Sequence, residues 1–279
     1  MKRLLSIEFQ KLLKNKASKF LILTYFILLS FIALIASIKF EFGNFKLHIA
    51  EQGIFNFPYI WHFNTYIAGY FKLFLAIVIV SMMANEYTYG TLKQNLIDGM
   101  SKKEFILSKF LTVITFAVAS TLFIFLLSLI LGYSFSSYTE FSIVFSDLEY
   151  LIAFLFKLIG FFSFCLFLGI LVKRSAFALG FLLIWFIGEF IISGLMRWQF
   201  FPNTSIYEKI NQFFPLESMS NLIKQPFSRL SAIKNIETTI TGEEVVREYG
   251  VHFTEIAIVC VWIVIFIYSS YYILKKRDL

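Results

Sequence analysis

The feature that most constrains this chain is a series of apolar runs, each about as long as a bilayer is thick. Polar segments separate six of them, at residues 20–38, 66–84, 110–132, 148–172, 176–195 and 255–274. At 1.5 Å per residue, the run at residues 20–38 forms a helix of about 28 Å, which is enough to cross the hydrocarbon core. The pattern predicts an all-α integral membrane protein with six transmembrane helices in one domain, residues 1–279.

Composition excludes most alternatives to a membrane protein. The chain is 58% hydrophobic and only 15% charged, and a soluble domain of this length could not cover so much apolar surface. The net charge of +7 is compatible with nucleic-acid binding. The basic residues, however, lie at the ends of the apolar runs and not on one polar face, so membrane topology explains them better.

The first 19 residues have the pattern of a helix that lies in the membrane surface. Apolar residues recur at helical spacing, at Leu5, Phe9, Leu12 and Leu13. Basic residues occupy the other side of the same helix, at Lys2, Arg3, Lys11 and Lys14. We therefore predict an N-terminal interfacial helix at residues 1–19 whose basic side chains face anionic lipid headgroups.

The distribution of charge predicts the orientation of the six spans. Fifteen of the 25 Lys and Arg residues lie before the first span, in residues 85–109, at Lys173-Arg174 or after the last span. Basic residues concentrate in cytoplasmic segments, so both termini are expected in the cytoplasm. Residues 197–253 are then extracellular, and they are expected to contain short amphipathic helices at 205–214 and 217–224.

Residues 85–109, NEYTYGTLKQNLIDGMSKKEFILSK, form the predicted cytoplasmic loop between spans 2 and 3. Gly90 and Gly99 divide this loop, and Gly99 can end a short helix. Ser101 and Glu104 have the spacing of a capping box, in which each side chain satisfies a backbone N–H at a helix start. We therefore predict a cytoplasmic helix at residues 102–109 that leads directly into the third span.

This loop resembles the segment between spans 2 and 3 of ABC-2 type transporter permeases. The resemblance starts from a Glu-x-x-x-Gly-Thr-Leu pattern and continues through a Ser-Lys-Lys-Glu-Phe run. In that family the segment is the coupling helix, which docks on the ATP-hydrolysing subunit. The residues that the resemblance assigns to coupling are Glu86, Gly90, Thr91, Gly99, Ser101, Lys102, Lys103, Glu104 and Phe105. An ordinary basic loop would explain the lysines but not the other residues.

The resemblance implies a permease subunit of an ATP-binding cassette exporter in the bacterial cytoplasmic membrane. It implies a second permease copy or a related permease, and a separate cytoplasmic ATPase that binds ATP and Mg²⁺, with no cofactor in this chain. Amphiphilic substrates such as peptide antibiotics, lipids or drugs fit an apolar lateral path. The alternative is a standalone channel or structural membrane subunit that has no ATPase and no need of a capped basic helix.

Sequence motifs do not support an enzyme. The chain contains no Gly-x-x-x-x-Gly-Lys-Ser/Thr, Gly-x-Ser-x-Gly or His-Glu-x-x-His pattern. ATP hydrolysis is accordingly expected in a partner chain, and this chain is expected to act only in transport.

Three ionisable residues lie inside predicted spans, namely Lys72, Lys157 and Glu189. Charged groups at this depth are costly and usually face the interior of a helical bundle. Helical rise places all three roughly 9–14 Å below the outer surface, in one layer. We therefore expect Glu189 to pair with Lys157, with Lys72 as the alternative partner.

Overall fold

The computed structural model describes residues 2–37, 39–42, 45–48, 53–201, 206–229 and 248–277, with side chains described at 3–32, 53–201, 206–229 and 248–277. Within these ranges the chain is almost entirely helical. The helices are α1 (Lys2–Lys14), α2 (Lys16–Ser37), α3 (Tyr59–Thr88), α4 (Thr91–Ile97), α5 (Lys102–Phe135), α6 (Phe141–Val144), α7 (Glu149–Val172), α8 (Ser175–Leu195), α9 (Ile206–Asn211), α10 (Pro215–Asn221) and α11 (Phe253–Lys276). A π-helical turn, Met196–Phe200, follows α8.

The long helices make this a multi-pass membrane protein. Among the described residues, five helical stretches are long and apolar enough to span a bilayer: Tyr59–Thr88, Lys102–Phe135, Phe141–Val172, Ser175–Phe200 and Phe253–Lys276. A sixth is obtained if α1 and α2, whose axes meet at 93°, are counted as one bent span. Five of the six predicted apolar runs lie within helices of the described chain, and the first run lies in α2 up to Ser37.

A short hairpin interrupts the helical architecture. Strand β1 (Lys39–Phe42) pairs antiparallel with β2 (Phe45–His48), with Lys39 opposite His48. The sequence predicts no helix at these residues, and the hairpin is a small addition to the predicted all-α fold class. Aromatic residues favour strands, which is compatible with the sequences of the two strands.

Helix α7 is the central element of the bundle. It packs against α3, α5, α8 and α11, and most of its residues are buried. Gly169 permits a close approach to α3, because a Cβ at this position would lie 2.9 Å from the Cβ of Met83. The turn after α7 is tight, since Lys173 adopts a left-handed conformation and α8 begins at Ser175.

Helix α8 is the most exposed of the long helices. Its buried residues are Ala178 and Leu182, and large apolar side chains are exposed around the rest of its surface. The segment that follows folds back onto the bundle through α9 and α10. These helices correspond to the two predicted at 205–214 and 217–224. Pro215 begins α10, since proline is compatible with the first helical turn.

The bundle has two distinct ends. The α4 end holds α1, α4, the start of α5, the end of α7 and the C-terminal end of α11, which are joined by the contacts described below. The α10 end holds α6, α9, α10 and the start of α11. Residues 202–205 and 230–247 of the predicted extracellular segment lie outside the described residues.

Candidate functional site

Two glycines shape the segment between α3 and α5. Gly90 has φ +68° and Gly99 has φ +97°, both in the left-handed region that side chains disfavour. At Gly99 the chain forms a Schellman motif, in which Met100 N donates to Asn95 O at 3.0 Å and Gly99 N donates to Leu96 O at 3.2 Å. The glycines therefore end α3 and α4 at fixed positions and set the direction of the chain after each helix.

The start of α5 has the capping box that the sequence predicts. Ser101 Oγ accepts from Glu104 N at 3.1 Å, and Glu104 Oε2 accepts from Ser101 N at 2.9 Å. The segment Lys102–Lys109 forms the first two turns of α5, which continues without a break to Phe135. A displacement at the start of α5 therefore acts on a spanning helix directly.

The predicted coupling residues divide into exposed and buried groups. Gly99, Ser101, Lys103 and Glu104 are exposed, whereas Glu86 is only 3% exposed. Phe105 is fully buried, so the expectation that it contacts an ATPase was wrong. Phe105 packs in the apolar core, with its ring 5.1 Å from Lys109 Nζ. The Ser-Lys-Lys-Glu-Phe pattern is compatible with either orientation, because it does not fix how the helix is rotated about its axis.

The structure places two exposed apolar side chains beside the exposed polar ones. Tyr89 is 72% exposed and Ile97 is 75% exposed, at the two ends of α4. Lys93 and Asp98 are exposed on the same short helix and its C-cap. Sequence reasoning missed Tyr89 and Ile97. The sequence contains evidence that Ile97 is exposed. Leu92 and Leu96 are four residues apart and therefore share one side of α4, and Ile97 does not lie on that side.

A buried cluster of four charges ties this segment to the N-terminal helix. Lys109 Nζ donates to Glu86 Oε1 at 2.6 Å and to Glu8 Oε2 at 2.5 Å, and Lys109 is completely buried. Lys11 Nζ donates to the same Glu86 oxygen at 2.9 Å. Thr91 Oγ1 donates to the second Glu86 oxygen at 2.5 Å. Glu86 thus accepts hydrogen bonds from α1, α4 and α5.

The cluster contains two carboxylates and two ammonium groups, so its formal charge is zero. Such balance matters, because removing Lys109, Glu8 or Glu86 would leave a net charge in a largely buried site. Lys11 was expected to face lipid headgroups, and that expectation was wrong, since its ammonium group binds Glu86. The signal that sequence reasoning missed is Glu8, the only acidic residue among residues 1–19.

The C-terminal end of α11 contacts the start of α5 through Lys102. Lys102 Nζ donates to the carbonyl oxygens of Lys275 and Arg277, at 3.3 and 2.9 Å. The Arg277 guanidinium donates to the carbonyl oxygens of Ile170 and Leu171 in the last turn of α7, at 2.5 and 2.9 Å. These carbonyls have no partner within the helix, and a cation there also interacts favourably with the helix dipole.

The family model for the ABC-2 family transporter protein matches residues 3–279. The chain belongs to this family. The resemblance found in the loop therefore extends over nearly the whole chain, and this protein is the membrane subunit of an ABC transporter. Among curated proteins, none matches the sequence.

In this ABC-2 permease the three intramembrane charges do not form the predicted pair. Glu189, in α8, accepts hydrogen bonds from the backbone N–H groups of Leu216 and Glu217 and from Trp185 Nε1, at 2.6 to 3.2 Å. Within the described residues no ion pair joins Glu189 to Lys157 or Lys72. The N-terminus of α10, with its unpaired amides, has taken the place of the expected lysine.

The same part of the permease contains a large cavity. Its volume is ≈ 990 Å³, and it lies between the α10 end of α8, the π-helical turn, α9 and α10. Its lining is mainly apolar and includes Phe186, Phe190 and Trp198, with Glu189 and Glu217 on one wall. Volumes of this order accommodate drug-sized molecules.

Proposed function

We propose that this permease exports an amphiphilic substrate and is driven by a separate cytoplasmic ATPase that docks at the α4 end. The observation that carries the proposal is the buried bond between Glu86 and Lys109. It links the end of α3 and the start of α5, the two spanning helices that flank α4. A partner that moves α4 would therefore move both helices together.

The docking surface that we propose consists of the exposed side chains of α4 and its flanks: Tyr89, Lys93, Ile97, Lys103 and Glu104. Exposed apolar side chains with a polar rim are typical of protein–protein contacts. Glu86, Gly90, Thr91, Gly99 and Ser101 shape this surface from behind, and Lys102 anchors it to α11. Phe105 belongs to the core beneath it.

The geometry favours this function over a standalone channel or structural subunit. A simple connector between two spans needs neither two left-handed glycines nor a capping box, and it needs no buried charge cluster. These features hold α4 in one orientation relative to α3, α5 and α1. Fixed orientation is what a force-transmitting contact requires.

The orientation in the membrane follows from charge. We place the α4 end in the cytoplasm, since the basic residues concentrate there, and both termini on that side. The bend of 93° between α1 and α2 supports an α1 that lies along the membrane surface, with Arg3 and Lys14 exposed. The membrane is the bacterial cytoplasmic membrane.

The exposed surface of α8 supports a dimer and a lateral substrate path. Apolar side chains surround this helix on most sides, and the cavity of ≈ 990 Å³ opens beside it. A second copy of the chain, or a related permease, would pack here and enclose an aromatic-lined path. Its lining suits an amphiphile, with an apolar body and a polar group near Glu189, Glu217 or Arg197.

The test is to purify the permease from its native membranes and ask whether an ATPase accompanies it. We expect the wild-type protein to retain an ATPase, and Ile97→Asp to lose it while remaining folded in the membrane. Phe213→Asp is the matched control, because Phe213 is also an exposed apolar residue but lies at the α10 end. Absence of an ATPase from the wild type, or its retention by Ile97→Asp and loss from Phe213→Asp, would contradict the proposal.

A further inference from the structure

Two lysines lie inside the bundle at the interface of α3 and α7. Lys157, on α7, is 6% exposed, and Lys72, on α3, lies with its ammonium group 4.3 Å from the centroid of the Phe161 ring. In the part of the chain that the structure describes, neither ammonium group has a hydrogen-bond acceptor or a carboxylate partner. Intramembrane lysines ordinarily pair with an anion or a carbonyl group, so two without such a partner require an explanation.

The two ammonium groups are neighbours in space. The Lys157 ammonium lies against Gly69, since its Nζ is 3.8 Å from the position that a Gly69 Cβ would occupy. Gly69 precedes Lys72 by one turn of α3, and Phe161 follows Lys157 by one turn of α7. The lysines are therefore offset by about 5 Å in depth.

No carboxylate of the described chain forms an ion pair with Lys72 or Lys157. Glu189 binds the N-terminus of α10. Glu149 accepts from Val251 N, and Glu255 pairs with Lys224, both at the α10 end. None of these groups neutralises Lys72 or Lys157. Within the described residues, two positive groups thus remain without a carboxylate at this part of the bundle, beside Gly69, whose lack of a side chain makes room for that of Lys157.

A third cation, Arg229, lies above the lysines and forms no ion pair in the described chain, although it donates to Tyr150 Oη at 3.2 Å. Arg229 is held among the rings of Tyr59, Tyr150 and Tyr249, and one of its guanidinium nitrogens is buried without a hydrogen-bond partner. Tyr150 precedes Lys157 by two turns of α7, roughly 10 Å. Positive groups therefore follow one another from the α10 end towards the middle of the bundle.

We infer that Lys72 and Lys157 form a binding site for the anionic group, a carboxylate or a phosphate, of an amphiphile. An anion between the two ammonium groups would neutralise both and would be held by charge-assisted hydrogen bonds. Its apolar tail would lie among the aromatic and aliphatic side chains of the bundle. This inference rests on the proposed transport function and specifies its substrate class as an anionic amphiphile.

The test uses the full-length protein in nanodiscs of phosphatidylcholine, with dodecyl phosphate and dodecanoate as anionic probes. Dodecyl maltoside and dodecyltrimethylammonium, which have the same tail, are the neutral and cationic controls. We expect the anionic probes to bind saturably and at least tenfold more tightly than the others. Lys72→Met and Lys157→Met should each remove most of this preference, whereas Lys72→Arg and Lys157→Arg should retain it.

Lys224→Met, which removes a lysine at the α10 end, is the control for a general loss of charge. Equal affinity of the wild-type protein for all four probes would overturn the inference. This outcome needs no variant, so it does not depend on whether the variants fold. Unchanged binding in both Met variants would overturn it as well. The ATPase that accompanies the same preparation is measured in parallel, so failure of the inference and failure of the proposed function are distinguished.

A last measurement identifies the source of the anion. Native mass spectrometry of wild-type protein from its own membranes would show a retained anionic phospholipid that both Met variants lack, if the site holds lipid. If only the added amphiphiles bind, the site belongs to the transported molecule. Both results support an anion site at Lys72 and Lys157.

Discussion

Lys109 and Glu86 are 23 positions apart in the sequence, and their ammonium and carboxylate groups lie 2.6 Å apart in a buried site at the α4 end. Glu8 and Lys11 complete the cluster from α1. The N-terminal helix, the end of α3 and the start of α5 therefore share one polar core. Stability of the α4 end depends on charge balance within it.

We predict that Lys109→Met destabilises the protein strongly, by about 3–5 kcal/mol, because two carboxylates would remain buried with one ammonium group. The double variant Lys109→Met/Glu8→Gln should recover part of the loss, since it restores a net charge of zero. Unfolding in detergent, monitored by thermal or denaturant titration, measures both. Lys103→Met, at an exposed site of the same helix, should have little effect. A double variant less stable than Lys109→Met would contradict the role of charge balance.

Gly90 should tolerate substitution poorly because of its backbone conformation. Its φ of +68° costs about 1–2 kcal/mol for an alanine, and less for an asparagine, which adopts this region more readily. No atom lies within 4 Å of the position of its Cβ, so the effect would come from strain and not from a clash. Gly180→Ala, at a helical glycine with equally open surroundings, is the control and should be neutral or stabilising. Equal behaviour of the two alanine variants in thermal unfolding would exclude strain.

Substitutions at Phe105 and Ile97 should have different effects, the first on the stability of the fold and the second on the association with the ATPase. Phe105→Ala would leave a cavity in the core and cost about 3–5 kcal/mol. Ile97→Ala, at an exposed site, should change stability by less than about 0.5 kcal/mol but weaken the association with the ATPase. The measurements are thermal unfolding and the amount of ATPase that co-purifies. Loss of stability in Ile97→Ala would show that this residue packs in the fold and is not available to a partner.

Local signals in the sequence predicted most of the fold. The apolar runs identified the long helices because a bilayer requires a minimum length of apolar helix. Ser101 and Glu104 identified the start of α5, and Gly90 and Gly99 identified two chain reversals, because caps and left-handed residues act through neighbours in the sequence. None of these features depends on contacts between distant residues.

The errors concern contacts between distant segments. The rotation of α5 about its axis places Phe105 inside, and only packing against the rest of the bundle determines that rotation. Lys11 binds Glu86 across 75 positions, and Glu189 binds α10 across 27. In each case a charged residue has several potential partners at suitable depth, and the sequence does not rank them.

Glu217 should make stability depend on pH. Burial, and secondarily the negative charge of Glu189, raise the pKa of Glu217 above its usual value in the folded protein. The folded state then disfavours the ionised form, so this group lowers stability as pH rises above the ordinary glutamate pKa of about 4.3. We expect Glu217→Gln to raise the melting temperature near neutral pH, with a gain that decreases as the pH falls towards 4. A gain that is independent of pH would contradict this assignment.

The contacts of Glu189 predict which residues it is coupled to energetically. The effects of Glu189→Leu and Lys157→Met on stability should be additive in the double variant, with a coupling of less than about 0.5 kcal/mol, because the two side chains share no contact. A substitution at the N-cap of α10, in contrast, should be coupled energetically to Glu189. Phe214 occupies the N-cap in an extended conformation and provides no side-chain acceptor.

Phe214→Asn would supply an acceptor for the amides of Leu216 and Glu217, the same groups that Glu189 binds. It should therefore rescue Glu189→Leu in part, although it removes an aromatic side chain, and it should not rescue Lys157→Met. Double-mutant cycles of melting temperature in detergent measure both couplings. If Lys157→Met were coupled to Glu189→Leu and Phe214→Asn were not, Glu189 would act through the lysine and not as the cap of α10.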